Sequence, residues 1–355
     1  MPTPYQIFNL TLLTWFDNHG RKDLPWQQPR SAYRVWISEI MLQQTQVKTV
    51  IPYFMNFMAR FPDVKTLALA SEDDVLSHWS GLGYYSRARN LHKAAKIIHM
   101  ELHDVFPNEL EDLLKLPGIG ASTAAAIASL AFNKATAILD GNVKRVLSRY
   151  FLVAGNPDLS EVKHILWQRA NECMPQDRCA DYTQAIMDMG ATCCKPKKPD
   201  CLSCPLKTTC LAYQNGVVGD YPYKKPKKTL STKKQQFLLL HNEQNLIYLE
   251  KRPPIGLWGG LWCMPDIDMD ICASSHIYDR YRLQTDTTRE LMRIKHSFSH
   301  YHLHIVALSL QCYPSGDEIT ECPGRWFSMD EMDGLGLAKP VSMIIKRFYA
   351  TTQDM

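Results

Sequence analysis

The chain has 355 residues, of which 45% are hydrophobic and 21% are charged, a balance that is typical of globular proteins and argues against wholesale disorder. Forty Lys and Arg residues against 36 Asp and Glu residues give a net charge of +4, which permits nucleic-acid binding without requiring it. No apolar run approaches the roughly 18 residues of a membrane span, and the first residues lack the basic start of a secretory signal, so we expect a soluble intracellular protein.

The first part of the chain, from Thr3 to about Met189, is predicted to be helical almost throughout. Apolar residues recur there at helical spacing, and turns rich in Gly and Pro separate one segment from the next. The predicted helical segments are residues 33–41, 67–79, 88–99, 110–116, 121–132, 143–151 and 162–173.

The pattern changes near residue 220. The basic, Pro-containing stretch Tyr221–Lys228 is typical of an exposed linker. Beyond it, alternating apolar residues predict strands, and two further segments have helical spacing. The predicted strands are 237–240, 246–250 and 300–309, and the predicted helices are 287–293 and 341–350. We therefore expect a helical part followed by a mixed α+β part.

Four cysteines fall within one short segment, with the spacing Cys194-x6-Cys201-x2-Cys204-x5-Cys210. In a reducing compartment this clustering favours a metal site over disulfides, and four thiolates can hold a zinc ion or an iron–sulfur cluster. Structural zinc sites usually have two close cysteine pairs, whereas this segment has one, so the spacing leans towards iron–sulfur. Cys193 is an alternative to Cys194 as the first ligand.

A Pro-Gly-Ile-Gly turn lies between two of the predicted helices. Gly118 and Gly120 allow the backbone to turn tightly, and the start of the next helix offers free N–H groups to a phosphate. This is a helix–hairpin–helix arrangement, which binds DNA without reading its bases. A plain connection between two helices needs the same residues.

Two acidic residues are candidates for chemistry on a glycosidic bond. Asp140 precedes a predicted helix, where Asp is a preferred N-cap and the helix dipole favours its anion. Such an anion can stabilise the positive charge that develops on a sugar as the bond breaks. Glu39 points away from the apolar stripe of its helix; it is an ordinary solvated side chain unless a cleft covers it, in which case its pKa rises and it becomes a proton donor.

Together these features resemble the MutY adenine DNA glycosylases of the helix–hairpin–helix superfamily, almost from end to end. The matching motifs are Asp23–Trp26, Val35–Thr45, Gly81–Arg89, Leu116–Gly120, Leu139–Val143 and the cysteine segment. The resemblance implies base excision repair, with removal of adenine paired with 8-oxoguanine or guanine in double-stranded DNA. It also implies a monomer that binds no membrane and acts in the cytoplasm, at the nucleoid of a bacterium or in the nucleus of a eukaryote.

The resemblance implies roles for individual side chains. Glu39 protonates adenine at N7, and Asp140 stabilises the sugar cation or bonds to it transiently. Gln44 and Tyr84 enter the duplex to hold the gap that the everted adenine leaves. The adenine pocket is lined by Leu24, Trp26 and Gln184. The four cysteines hold a 4Fe-4S cluster that has no direct role in bond cleavage.

One position separates two branches of this superfamily. Endonuclease III-like enzymes have a lysine just after the hairpin, whose amine forms a Schiff base with the sugar and nicks the strand. Ser122 occupies this position here, at the DNA-contacting hairpin. Because a hydroxyl cannot form that imine, we expect glycosylase activity with little or no lyase activity.

The second part resembles the Nudix-like C-terminal domain of the same family. A working Nudix hydrolase needs a helix rich in glutamates to hold Mg²⁺, and the nearest fragment, Arg289–Arg293, lacks the glutamate pair. We therefore expect recognition of 8-oxoguanine rather than hydrolysis. Phe298, Ser299 and His300 match the loop that probes this base in relatives, with Phe298 as a wedge and Ser299 as a hydrogen-bonding group.

The predicted fold class is thus multidomain, α followed by α+β. We place an all-α helix–hairpin–helix glycosylase domain with its iron–sulfur loop in residues 1–217, a basic linker at 218–233 and a Nudix-like domain at 234–355. Two other functions stay open: a bifunctional glycosylase and lyase, and a DNA-binding iron–sulfur protein without catalysis. Some relatives have a basic residue after Trp26, where this chain has Gln27; Lys22 and Arg30 are candidates to compensate.

Overall fold

A computed structural model describes residues 3–223, 229–316 and 324–352 of the chain. It divides into two compact units, one formed by Met1–Ala68 with Lys93–Lys227 and the other by Leu69–His92 with Lys228–Met355. A short piece of the helical half of the sequence thus groups with the second unit. The basic core of the predicted linker, 224–228, lies outside the described residues. In the described part, no helix combines the length and the apolar character of a membrane span.

The helical prediction for the first part of the chain is confirmed. The helices are α1 (Pro4–His19), α2 (Ala32–Leu42), α3 (Val47–Arg60), α4 (Val64–Leu69), α5 (Glu72–Trp79), α6 (Ser86–Met100), α7 (Leu110–Lys115), α8 (Ala121–Phe132), α9 (Gly141–Tyr150), α10 (Ser160–Cys173), α11 (Cys179–Asp188) and α12 (Leu211–Gln214). A single π-helical segment, Met189–Cys193, follows α11. The predicted helix 67–79 is interrupted because Ser71 caps α5, accepting a hydrogen bond from the Asp74 backbone N–H at 3.1 Å.

Helix α8 is the central helix of the first unit. Its residues 124–130 are all buried, as is typical of a helix whose side chains are small or apolar on every face. Helices α2 and α11 both pack against it. The contact with α11 includes a buried hydrogen bond of 2.7 Å between the hydroxyls of Ser129 and Thr183. Because α2 and α11 flank one rigid helix, side chains that they carry are held in a fixed relation.

The second unit is built on a mixed sheet with helices α13 (Ala273–Tyr281), α14 (Met329–Met332) and α15 (Lys339–Thr352). Long strands β1 and β7 pair in parallel from Ser231 opposite Tyr301 to His241 opposite Gln311. Strand β6 pairs antiparallel with the other edge of β7. The strands in the described residues are β1 (Ser231–His241), β2 (Ile247–Lys251), β3 (Trp262–Cys263), β4 (Asp266–Asp268), β5 (Leu283–Thr285), β6 (Arg289–Ser297), β7 (Tyr301–Pro314) and β8 (Gly324–Phe327).

The predicted strands 237–240, 246–250 and 300–309 correspond to β1, β2 and β7, and the predicted helix 341–350 lies within α15. The predicted helix at 287–293 is wrong, because Arg289–Arg293 belong to strand β6 and residues 287–288 precede it outside any helix. There Arg293 and Lys295 are exposed and Ile294 is half-buried, an alternation of period two that pairing with β7 enforces. The Arg289–Arg293 fragment, compared above with a Nudix helix, is therefore a strand.

Candidate active site

A cavity of about 800 Å³ opens in the first unit, within the size range of small-molecule pockets in proteins. Glu39 from α2 and Asp140 from the start of α9 both line it. The two carboxyls that the sequence analysis singled out therefore converge on one space. The other predicted site residues that line this cavity are Leu24, Trp26, Gln44, Ser122 and Gln184.

The carboxyl of Glu39 is desolvated. Burial raises its pKa to about 8, and the negative charge of Asp140 adds to this increase. At neutral pH the side chain is therefore mostly protonated and can donate a proton into the cavity. The structure thus places Glu39 in a cleft, which is the circumstance under which the sequence predicts a proton donor.

Asp140 caps helix α9, as its sequence context predicts. Its Oδ1 accepts a hydrogen bond of 2.8 Å from the Val143 N–H, and its Oδ2 accepts one of 3.1 Å from the Asn142 side-chain amide. These bonds and the positive charge of Arg145 favour the anion, yet burial outweighs them and raises the pKa of Asp140. The two carboxyls differ in that Asp140 has several groups that stabilise its charge, whereas burial and a like charge both oppose ionisation of Glu39.

A buried carboxylate fixes the orientation of Gln184 in the cavity wall. Asp188, which is fully buried, accepts a hydrogen bond of 2.8 Å from Gln184 Nε2. The guanidinium of Arg21 donates to the same carboxylate at 2.6 and 2.9 Å, and so does its backbone N–H at 2.7 Å. Neither Arg21 nor Asp188 was predicted as a site residue from the sequence. The i, i+4 spacing of Gln184 and Asp188 on one helix was the available signal.

The departure at Gln27 has a structural explanation. Its side chain accepts a hydrogen bond of 3.0 Å from the Leu24 N–H and donates one of 3.0 Å to the Arg21 carbonyl. Gln27 thus stabilises the loop that places Leu24 and Trp26 in the cavity wall. The cations that line the cavity are Arg21 and Lys48, whereas Lys22 and Arg30 are not among its lining residues.

The hairpin between α7 and α8 has the geometry that its glycines suggest. Gly118 is exposed with φ +81°, a conformation that favours glycine, and Gly120 is the N-cap of α8. Ser122 lies in the first turn of α8, and its hydroxyl accepts a hydrogen bond of 3.2 Å from the Leu139 N–H. The hairpin therefore places Ser122 beside the residue that precedes Asp140.

The two side chains predicted to enter the duplex share an unusual backbone conformation. Gln44, which follows α2, has φ +59°, and Tyr84, in the turn before α6, has φ +49°. Non-glycine residues adopt such values rarely, and when they do it is often at functional sites. Tyr84 is 47% exposed, which is high for a tyrosine.

The four cysteines of the predicted cluster loop line one small pocket of the first unit, together with Cys193. The Cys194 sulfur accepts a hydrogen bond of 3.3 Å from the Arg149 guanidinium, an arrangement that suits a thiolate. The Cys193 thiol instead donates to the Asp200 carbonyl at 3.3 Å. Among the residues that the structure describes, no three His, Cys, Asp or Glu side chains are placed to bind one common metal ion. The donor chemistry is that of a thiolate site.

Arg145 joins the start of α9 to the cysteine segment, a role that the sequence analysis missed. Its guanidinium donates to the Asn142 side chain at 2.8 Å, to the Gly190 carbonyl at 2.6 Å and to the Cys194 carbonyl at 2.7 Å. A Cβ on Gly190 would lie 2.6 Å from that of Asn142, so the close approach of the π-helix to α9 requires glycine.

In the second unit, the predicted recognition residues occupy the tight turn between β6 and β7. The Phe298 ring stacks on that of Tyr301, with centroids 4.7 Å apart, and its backbone N–H donates to the Tyr301 carbonyl at 2.9 Å. Ser299 and His300 are exposed at the tip. The turn therefore holds one aromatic ring in place and leaves two polar side chains available to a ligand.

Comparisons with known proteins find two families in the chain, one in each half of the sequence. The family model of the HhH-GPD superfamily base excision DNA repair proteins matches residues 37–172, and that of the NUDIX domain matches residues 236–347. The chain is 40% identical over 344 residues to the adenine DNA glycosylase of Buchnera aphidicola subsp. Schizaphis graminum (strain Sg), covering 96% of this chain and 99% of that protein. It is 33% identical over 406 residues to the adenine DNA glycosylase of Mus musculus, covering 96% of this chain and 78% of that protein.

Among solved structures, a thermostable thymine-DNA glycosylase is 29% identical with a TM-score of 0.54, covering 60% of this chain and 97% of that chain. The predicted fold class, a helix–hairpin–helix glycosylase domain followed by a Nudix-like α+β domain, is confirmed.

Proposed function

The chain belongs to the adenine DNA glycosylases of base excision repair, and from this membership we propose that its substrate is double-stranded DNA in which adenine is paired with 8-oxoguanine or guanine. The observation that carries the proposal is the convergence of Glu39 and Asp140 on one cavity, with the pKa of Glu39 raised to about 8. Cleavage of an N-glycosidic bond needs a general acid to protonate the leaving base and an anion to stabilise the sugar cation, and these two carboxyls can supply both.

The proposed reaction begins when adenine leaves the base stack and enters the cavity, which costs a few kcal/mol. Leu24 and Trp26 supply apolar surface for the purine, and Gln184, oriented by Asp188, offers its amide to the polar edge of the base. Gln44 and Tyr84 fill the gap in the duplex. Each has the left-handed backbone conformation described above.

The bond between C1′ and N9 then breaks with general acid catalysis. Glu39 donates its proton to adenine N7, so that the base leaves as a neutral molecule. Asp140 stabilises the positive charge on the sugar, or bonds to C1′ transiently, before water adds there. The proton released by that water returns the Glu39 carboxylate to its acid form.

We propose that the enzyme is a glycosylase with little or no lyase activity. The support is Ser122, which lines the cavity and stands at the position where a lyase has a lysine. One assay separates this proposal from its alternatives: a duplex with adenine opposite 8-oxoguanine is incubated with the protein and analysed with and without alkali. Cleavage only after alkali supports the proposal, cleavage without alkali indicates a bifunctional lyase, and no cleavage indicates a DNA-binding protein without this activity.

We propose that Cys194, Cys201, Cys204 and Cys210 hold a 4Fe-4S cluster, which, when bound, organises this segment and takes no direct part in bond cleavage. The support is the thiolate donor set in one pocket and the Arg149 hydrogen bond to Cys194. Iron and acid-labile sulfide should each be present at about four per chain in protein purified without oxygen. Zinc at about one per chain would contradict the assignment.

We further propose that the glycosylase domain spans residues 1–217, that 218–233 is a linker, and that 234–355 recognises 8-oxoguanine through Phe298, Ser299 and His300. The family matches at 37–172 and 236–347 fall inside these bounds. The active form is a monomer that binds no membrane and acts where the chromosome is, in the cytoplasm of a bacterium or the nucleus of a eukaryote. Light scattering of the purified protein should give a mass close to 40.7 kDa.

A further inference from the structure

The turn that carries Tyr84 groups with the second unit and is tightly held. Between α5 and α6 the chain reverses direction through Gly81 and Gly83, both with positive φ. The Arg87 guanidinium lies over the rings of Trp79, at 5.4 Å, and Tyr84, at 5.6 Å. The exposed Tyr84 ring thus contacts the Arg87 guanidinium, while the Tyr84 backbone has an unfavourable conformation. Because such a conformation must be held by its surroundings, the position of the ring depends on the contacts that fix the two ends of the turn.

Each end of this turn is hydrogen-bonded to a loop or segment from the C-terminal part of the chain. Before the turn, the Ser80 hydroxyl donates to the Leu337 carbonyl at 2.5 Å. After it, the Arg89 guanidinium donates to the Pro254 carbonyl at 2.8 Å and to the Gly259 carbonyl. Because one planar guanidinium reaches two carbonyls, it fixes orientation as well as distance.

The loop that receives Arg89, residues 253–260, also contacts the recognition turn. The ring of Trp258, which is 7% exposed, lies 6.3 Å from Phe298 and 5.8 Å from His296. Its centroid also lies 5.7 Å from that of the Phe237 ring in β1. The 253–260 loop therefore touches the Tyr84 turn through Arg89 and the Phe298 turn through Trp258.

We propose that Arg89 is a positioning residue that sets the preference for 8-oxoguanine over guanine, because it fastens the Tyr84 turn to the 253–260 loop that also supports Phe298. The turn whose tyrosine enters the duplex and the turn that probes the base opposite adenine are then held as one rigid assembly within the second unit. This inference rests on the proposed function, in which Tyr84 and Phe298 both contact the duplex at the lesion.

A simpler role for Arg89 would be attraction of the DNA backbone by its charge. The geometry argues against it, since two of its nitrogens are already used by carbonyl oxygens. Arg89→Lys tests this difference, because lysine keeps the charge but cannot reach two carbonyls with a planar fork. If positioning matters, Arg89→Lys should resemble Arg89→Ala; if charge matters, it should resemble the wild type.

The experiment is a double-mutant cycle on the full-length protein. We measure single-turnover adenine excision opposite 8-oxoguanine and opposite guanine for Arg89→Ala, Tyr84→Ala and the double variant. Arg89→Ala should lower the ratio of the two rates roughly three- to tenfold, and it should have no further effect in the Tyr84→Ala background, as expected for residues that act through one another. Arg280→Ala, which removes a cation paired with Glu250 in the same unit, should leave the ratio unchanged.

A second readout needs no DNA. In the free protein, Arg89→Ala and Arg89→Lys should both accelerate amide hydrogen exchange in residues 81–86, with exchange in β1 and β7 unchanged. Unchanged exchange in the turn, or additive effects in the cycle, would overturn the inference while leaving the proposed function intact. Failure of the wild type to excise adenine would instead overturn the proposed function, and the exchange result would still decide whether Arg89 holds the turn.

Discussion

The carboxylate cavity of the first unit and the Phe298 turn of the second unit differ in how exposed their polar groups are and in what holds those groups in place. In the cavity, Glu39 and Asp140 are half-buried, and desolvation raises the pKa of each. In the turn, Ser299 and His300 are exposed, and order comes from the stacking of Phe298 on Tyr301. Proton transfer needs a desolvated acid, whereas recognition of a base needs exposed polar groups on a rigid support.

From this difference we expect variants of the two regions to affect different kinetic quantities. Changes in the cavity should alter the rate of adenine excision to the same extent opposite 8-oxoguanine and opposite guanine. Changes in the turn should slow excision opposite 8-oxoguanine and leave the rate opposite guanine intact, so that the ratio of the two rates falls. The variants below test this separation, beginning with the largest expected effect.

Glu39→Gln should reduce the single-turnover rate by roughly 10³-fold, within the range for loss of a general acid.

The same variant should change how stability depends on pH. The pKa of Glu39 is raised above its ordinary value of 4.5, so the folded state holds a proton that the unfolded state releases between pH 4.5 and about 8. Folding stability therefore falls as pH rises through this window, and Glu39→Gln should remove that dependence. Thermal unfolding at pH 5 and pH 8, with exposed Glu161→Gln as the control, checks it. A slow variant that is also less stable than the wild type at pH 8 would point to a damaged fold instead.

Asp140→Asn should reduce the rate by roughly 10²- to 10³-fold, because an amide cannot stabilise a developing cation as a carboxylate does. Asparagine is as good an N-cap as aspartate, so helix α9 and the thermal unfolding temperature should be preserved. Binding of the mispaired duplex should also be preserved in a fluorescence anisotropy assay. Asp158→Asn, which changes an exposed carboxylate paired with Lys144, should behave as the wild type. A normal rate in Asp140→Asn would remove this residue from the mechanism.

Much of the first unit could be predicted because its signals are local. Helical periodicity, the Asp140 cap and the hairpin glycines each depend on a few neighbouring residues, and the structure has them where the sequence indicates. The network of Arg21, Asp188 and Gln184 could not be predicted, because it joins residues more than 160 positions apart, as the Arg21–Asp188 separation of 167 shows. Hydrogen bonds of that kind exist only after folding.

In the second unit local signals were less reliable. Residues 287–293 have good helix formers and a helical spacing, yet 289–293 form part of β6, because β7 offers this strand a partner from Ser309 to His302. Pairing between strands is a long-range interaction that can override local preference. For the same reason, the association of the Tyr84 turn with the 253–260 loop has no counterpart in the sequence pattern. Arg89 stands inside a recognisable motif, but its acceptors lie 165 and 170 positions away.

The pH dependence of catalysis should reflect the cavity alone. Because Glu39 must be protonated to act and its pKa is about 8, the single-turnover rate should be level near neutral pH. Above pH 8 it should fall by about tenfold for each pH unit, as the protonated fraction falls. The same profile is expected opposite 8-oxoguanine and opposite guanine. A profile that is level up to pH 9, or one that differs between the two duplexes, would contradict the assignment of Glu39 as the acid.

Ser299→Ala should give the smallest effect and the most selective one. Loss of one exposed hydrogen-bonding group is worth about 0.5–1.5 kcal/mol, so the ratio of rates opposite 8-oxoguanine and guanine should fall about two- to tenfold. The rate opposite guanine should stay at its wild-type value, because the cavity is untouched. Ser297→Ala is the matched control: this serine is also exposed and lies two residues earlier, but its hydroxyl is 2.9 Å from His302 Nδ1, closer than the 3.4 Å between the Ser299 hydroxyl and His300 Nδ1. Equal slowing on both duplexes would mean that the turn contributes to catalysis in general, and the division between chemistry in the cavity and recognition in the turn would no longer hold.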